Sequence, residues 1–242
     1  MDDYTNPTPD EDAGLGDAGP VARQLNRLIE KVTTEGVGPL TGAVSWADDR
    51  LAQARRKQAA GGADPEDAAT MDAAVERTIR RLIRESVQAA GAAGFVTGLG
   101  GFVTMPVTIP ANVAGSLVIN ARLAAAIAHL RGYDPTDPHV RTVVTMVAIG
   151  SSAQQIAHAA GVQIGQKAAM QAIKKVPIAI IRQLNKKAGF MLVAKYGSKR
   201  SVLTLAKGVP VVGGVVGGSV DATMTGLVGR TADKMFAPDA AS

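Results

Sequence analysis

The groups with the chemistry for catalysis or metal binding are few in this sequence. They are His129, His139 and His158, with Asp134, Asp137, Asp221 and Asp233 around them. Cysteine is absent, which excludes thiolate ligands, cysteine nucleophiles and a disulfide framework. No Glu follows Glu85, and the histidine spacings fit neither an HExxH nor a Cys/His zinc pattern. Ser151-Ser152 lies close to His158 but without the GxSxG context of a nucleophile elbow. Asp134 and Asp137 read as a turn residue and a helix cap. His158 and Asp221, each on an apolar helical stretch, are the polar groups best suited to an interhelical pocket for a small ligand or an uncharacterised activity. Both equally suit hydrogen-bonded core positions. No catalytic residue, metal site or cofactor is assigned on these patterns, and the first reading is of a non-enzymatic protein.

The charge pattern carries more information. A net charge of +5 hides six acidic residues and no basic ones in the first 20, which leaves +11 on residues 21–242. From Pro138 to Val220 there is no Asp or Glu against eleven basic residues, among them Lys174, Lys175, Arg182, Lys186, Lys187, Lys195, Lys199 and Arg200. These eight are the candidate surface for an anionic membrane or a protein partner. Each cation near anionic headgroups contributes about 1 kcal/mol, so four give ~4 kcal/mol, a millimolar-scale affinity that needs apolar contacts beside it. Nucleic acid is not an expected partner: the same region offers only Phe190 and Tyr196 for stacking and matches no helix-turn-helix or RRM signature.

The elements that must position these residues are helices. Aromatic content is 3% while Ala and Gly abound, which favours closely packed helices over a sheet. Residues 1–18 read as a disordered acidic tail, and their acidic composition is the reverse of a signal peptide. Two helices are expected over 19–62, from about Pro20 and about Thr41, punctuated by Gly36, Gly38 and Pro39. A third has Asp64 as its N-cap and Pro65 in its first turn, with an apolar stripe from Met71 to Val87. Charge then disappears for 36 residues, Ser86 to Ala121, a stretch diluted by Gly and polar residues that reads as buried helix rather than a span. Pro106 and Pro110 interrupt it, and a new helix runs from about Ala111 to Gly132. Helices over 138–160, 163–175, 178–193, 199–207 and 210–236 follow, the one from Ile178 being basic and amphipathic and the best source of apolar contacts for a membrane. Glycine costs about 1 kcal/mol per residue inside a helix relative to Ala. Gly94, Gly98, Gly213, Gly214, Gly217 and Gly218 therefore imply close approach of helix backbones.

The block GFVTGLGGFVTMPVTIP over 94–110, the apolar helix ending in Gly132-Tyr133-Asp134, and the run from Pro210 to Gly213 closing near Ala232 and Phe236 together resemble the EcsC family over about 64–236. The resemblance implies an all-helical bacterial protein, often membrane-associated, whose namesake is encoded beside an ABC transporter. The expected architecture is therefore all-α: a compact bundle of about eight helices with the Gly-rich helices at its centre. The tail would occupy 1–18, the N-terminal helices 19–62 and an EcsC-like helical domain 63–238. The expected role is peripheral association, from the cytoplasm, with the inner membrane surface or a membrane transport complex.

Overall fold

A computed structural model describes residues 19–100, 111–161, 169–196 and 210–238. The acidic tail, the 101–110 connection, and the region holding Lys199, Arg200 and the helix expected over 199–207 lie outside the described residues. Nine helices occur among them: α1 (Gly19–Thr34), α2 (Ala43–Ala60), α3 (Ala68–Gly100), α4 (Ala111–Leu130), α5 (Pro138–Ala148), α6 (Ala153–Ala159), α7 (Ala169–Lys174), α8 (Ile178–Tyr196) and α9 (Pro210–Phe236). The class is all-α, as the composition requires. One small departure is a two-stranded antiparallel hairpin, β1 (Gly36–Val37) and β2 (Leu40–Thr41), where glycine and proline had marked only a break.

Local chemistry explains most of the boundaries. Asp137 accepts hydrogen bonds from the amides of His139 and Val140 and starts α5, with Pro138 at its first position. At α3 the expected cap is displaced by three residues. Asp64 instead closes a turn onto the Glu66 amide, and Asp67 accepts from the Thr70 amide at 2.8 Å to cap the helix. Two Asp residues compete for the role, and the later one wins because its side chain meets the amide donors of the first helical turn. The helix expected over 138–160 is in fact two. Gly150, at φ 90°, closes α5 with bonds from its own amide to Val147 and from the Ser151 amide to Met146. Ser152 and Gln155 then cap each other's amides and begin α6.

The helix enclosed on all sides is α4. Leu123 through Ile127 are fully buried, and α1, α2, α3, α5 and α9 all pack on it. Its run of alanines lets five neighbours close in without large side chains between them. On one flank α3 and α9 lie antiparallel at backbone contact. A Cβ on Gly94 would stand 2.9 Å from the Gly217 carbonyl oxygen, and one on Gly218 would stand 2.7 Å from that of Gly91. Further along, Gly229 receives Ile83 and Gly226 faces Val87. Met71, expected on the buried stripe, is 41% exposed, because α3 begins beyond the edge of this packing.

One end of the pair is locked by charge. Arg131, whose side chain is only 10% exposed, donates to Glu76 Oε1 on α3 at 2.6 Å and to Asp233 Oδ1 on α9 at 2.5 Å. Burial disfavours its charge, but hydrogen bonds to Asp233 and Glu76 outweigh that and raise its pKa. Next to it, the Tyr133 and Phe236 rings lie 5.5 Å apart.

Chemical denaturation of three variants tests this packing. Gly218→Ala is expected to lower stability by about 1–3 kcal/mol despite better helix propensity, since the new Cβ meets backbone. Gly226→Ala, with nothing nearer than 3.6 Å, is expected to raise it by about 0.5–1 kcal/mol. Arg131→Met should cost about 1–2 kcal/mol, less than breaking a fully buried pair, because Glu76 and Asp233 stay partly solvated and Glu76 keeps Arg80.

Candidate functional site

The glycine contacts bring together the longest uncharged stretch of the chain, 86–121, and a shorter one, 208–220. The C-terminal third of α3, the start of α4 and the N-terminal third of α9 therefore meet at one end of the bundle with no ionised side chain among them until Asp221, Glu85 and Arg122 are reached. Large apolar side chains are exposed on the paired helices there: Phe95 at 40%, Val215 at 58% and Val220 at 54%. Among the described residues no helix is long and apolar enough to cross a membrane.

Inside this end runs a polar seam. Thr225 donates to Asn120 Oδ1 at 2.9 Å, and Asn120 reaches the Ala148 carbonyl at 3.5 Å. One turn further along the same two helices, half-buried Asp221 pairs with Ser116 and lies against Gly94. Burial raises the Asp221 pKa, and the hydrogen bond from Ser116 offsets only part of that. His158 is exposed on α6, while Asp221 is turned toward α3 and α4, and no hydrogen bond or ion pair joins them. The other histidines are engaged structurally. His129 meets Asp48 at 2.8 Å, and His139 meets the Val176 carbonyl at 3.0 Å. Among the described residues there is no group of three or more His, Asp or Glu able to hold a metal.

Where the uncharged run begins and ends, an arginine cluster forms that sequence reasoning missed. Glu85, its last preceding charge, accepts from Arg50 on α2 at 3.0 Å and from Arg81 at 2.7 Å, and these bonds hold its pKa low against the opposing effect of burial. Arg122, the first charge after the run, stacks 4.0 Å over the Trp46 ring and donates to the Thr41 carbonyl and hydroxyl at 2.8 and 2.9 Å. The available signal was that these two residues bound the longest charge-free stretch. Beside the cluster, Lys57, Arg77, Arg80, Arg81 and Arg84 line an open groove of about 610 Å³ between α2 and α3 with no carboxylate in its wall.

The basic residues singled out from sequence lie elsewhere. Lys174, Lys175, Arg182, Lys186 and Lys187 are exposed on α7 and α8, and Lys195 belongs to α8. Ile181, Leu184 and Ala188, on the apolar face of α8, are buried in the core, while Ile178 and Met191 on the same helix are exposed. Lys174 sits 4.9 Å over the Tyr133 ring beside Phe236, and Gly217 is nineteen residues away, roughly 28 Å at 1.5 Å per residue along α9. Gly94 meets Gly217 and Gly91 meets Gly218. Gly98, Gly213 and Gly214 continue the same ends of α3 and α9.

The class defined by this arrangement is a helical bundle with one glycine-paired, uncharged end. The chain matches the EcsC protein family over residues 24–237 and belongs to it. The match begins in α1, so α1 and α2 lie within the family region, which the motifs alone had placed at about 64–236. No curated protein and no solved structure matches the chain.

The Asp221 environment has a pH signature. A carboxyl with a raised folded pKa binds its proton more tightly folded than unfolded, so its contribution is best below the ordinary value of 3.8 and is lost as pH rises through the folded pKa. Asp221→Asn should therefore raise stability at pH 7, by less than about 1 kcal/mol for a group that is only half-buried. Thermal melts across pH should show that gain vanishing toward pH 3.

Proposed function

We propose that this EcsC-family protein is a non-enzymatic, membrane-surface protein that seats the uncharged end of the α3/α9 pair in the headgroup region on the inner face of the cell membrane. The observation that carries the reading is the exposure of Phe95, Val215 and Val220 on an end where the one charged group, Asp221, is half-buried against Gly94 and Ser116. Polar rims around exposed apolar side chains are the mark of a membrane or protein contact. Arg84 and Arg122, the nearest cations outside ion pairs with carboxylates among the described residues, supply the headgroup attraction.

Magnitudes set the strength of the contact. Burying the exposed parts of three apolar side chains contributes about 1 kcal/mol each, and two cations add about 1 kcal/mol each at an anionic surface. A total near 5 kcal/mol corresponds to a weak, reversible association with a dissociation constant of about 0.2 mM. Lys174 and Lys175, at the other end of α9, face the aqueous phase in this orientation and are left for a protein partner at the membrane, such as a transport complex.

Co-sedimentation with anionic and neutral vesicles at two salt concentrations tests the reading. Binding to anionic vesicles, weakened by salt, is expected for the unaltered chain. Phe95→Asp with Val215→Asp should weaken it about tenfold or more, since the apolar contribution is lost and charges are introduced. Lys174→Glu with Lys175→Glu should leave it unchanged. No sedimentation with either vesicle at low salt would rule the proposal out.

A further inference from the structure

We propose that the cleft between the 36–41 hairpin, α2, α3 and α4 binds a small amphiphilic anion, with Arg122 taking its carboxylate or phosphate monoester head and Pro39, Leu40 and Ile119 enclosing a short apolar tail. The cleft has a volume of about 360 Å³, at the lower end of the range for small-molecule sites. Its wall combines those apolar residues with Trp46, Ala89 and the arginine cluster.

The cleft wall also holds Asp49, and Arg50, Arg81 and Arg122 against Glu85 and Asp49 leave one net positive charge. Glu85, which lines the same cleft, is already shared between Arg50 and Arg81. Arg122 has only neutral partners: the Thr41 carbonyl, the Thr41 hydroxyl and the Trp46 ring. Among the described residues no carboxylate lies within ion-pair distance of it. Burial, together with the nearby charge of Arg50, pushes its pKa down to about 10, so it stays protonated at neutral pH in a place that disfavours its charge.

Geometry adds specificity to charge. The Trp46 stack fixes the plane of the guanidinium, and Thr41 occupies Nε and one Nη2 hydrogen. Of five N–H donors, the remaining three are both hydrogens of Nη1 and one of Nη2, and the edge made by one hydrogen of each nitrogen suits two oxygens of one anion. Arg122 also ties the hairpin to α4, but a tether alone accounts neither for the cleft beside it nor for a half-buried cation that has no direct ion-pair partner among the described residues. A lone apolar cavity would not need the arginine, and a site for inorganic anions would not need Pro39, Leu40 and Ile119.

Trp46 is the sole tryptophan, so its emission reports on the cleft directly. The full chain, without vesicles, is titrated with octanoate and octyl phosphate, and with octanol and inorganic phosphate as tail-only and head-only probes. A saturable change is expected with at least one amphiphilic anion, with about tenfold or weaker responses to octanol and phosphate, each of which lacks one half of the interaction. Arg122→Gln should weaken the octanoate response about tenfold or more, the cost of losing a charged hydrogen-bond partner. Ala89→Phe, at an exposed position of α3, fills the cleft without altering Arg122 and should abolish the response, which covers the case of Arg122→Gln failing to fold. Isothermal calorimetry on the same variants separates binding from altered tryptophan emission. The assignment fails if neither anion saturates, if octanol or phosphate alone matches them, or if Ala89→Phe binds as the unaltered chain does.

Discussion

Everything at the uncharged end depends on the backbone contact between α3 and α9. Two helices come this close only where neither presents a Cβ, and Gly94 with Gly217 and Gly91 with Gly218 meet that condition at successive levels. Each glycine weakens its own helix by about 1 kcal/mol relative to Ala. Close backbones return part of this through dispersion and Cα–H contacts to carbonyl oxygens. The remainder comes from α4, which packs on both helices and buries ten of its residues 115–130. A pair without large side chains at its seam has little else to keep it together, so α4 is as necessary to the arrangement as the glycines.

Charge is sorted along this frame. At one end Arg131 binds Glu76 and Asp233 and joins α3, α4 and α9 through ion pairs in which the guanidinium is largely buried and the carboxylates are partly exposed. At the other, charged groups stop at Glu85 and Arg122, and apolar side chains face outward. A buried ion pair fixes relative position strongly because separating it strands charges. An uncharged end without such locks is free to meet another low-dielectric surface. The same polarity places the basic α7 far from the apolar end, so that the two surfaces face different surroundings.

Several features were legible because their cause is local. Pro210 and Phe236 bound α9 as expected, and Asp137 with Pro138 starts α5 through amides two and three residues away. Where two local signals compete, reading fails: Asp64 and Asp67 both suit a cap, and only the path of the chain between α2 and α3 decides which meets the amides. The interruption after Ala148 was hidden because the apolar pattern continues through it, while Gly150 and the Ser152–Gln155 pair act on backbone geometry rather than on hydropathy. The α8 stripe was visible, but periodicity does not say whether a stripe faces a core or a membrane, and Ile181, Leu184 and Ala188 face the core.

The sequence by itself determined the helical class, most helix ends, the charge-free run and membership of the EcsC family, since these rest on residue type and on interactions spanning a few positions. Tertiary structure alone decided which polar groups meet. Arg122 finds Thr41 across 81 residues, Thr225 finds Asn120 across 105, and Arg131 finds Asp233 across 102. Helical spacing sets which face a residue occupies, whereas its partner depends on how neighbouring helices are stacked and rotated. That is settled here by the absence of side chains at a few glycines.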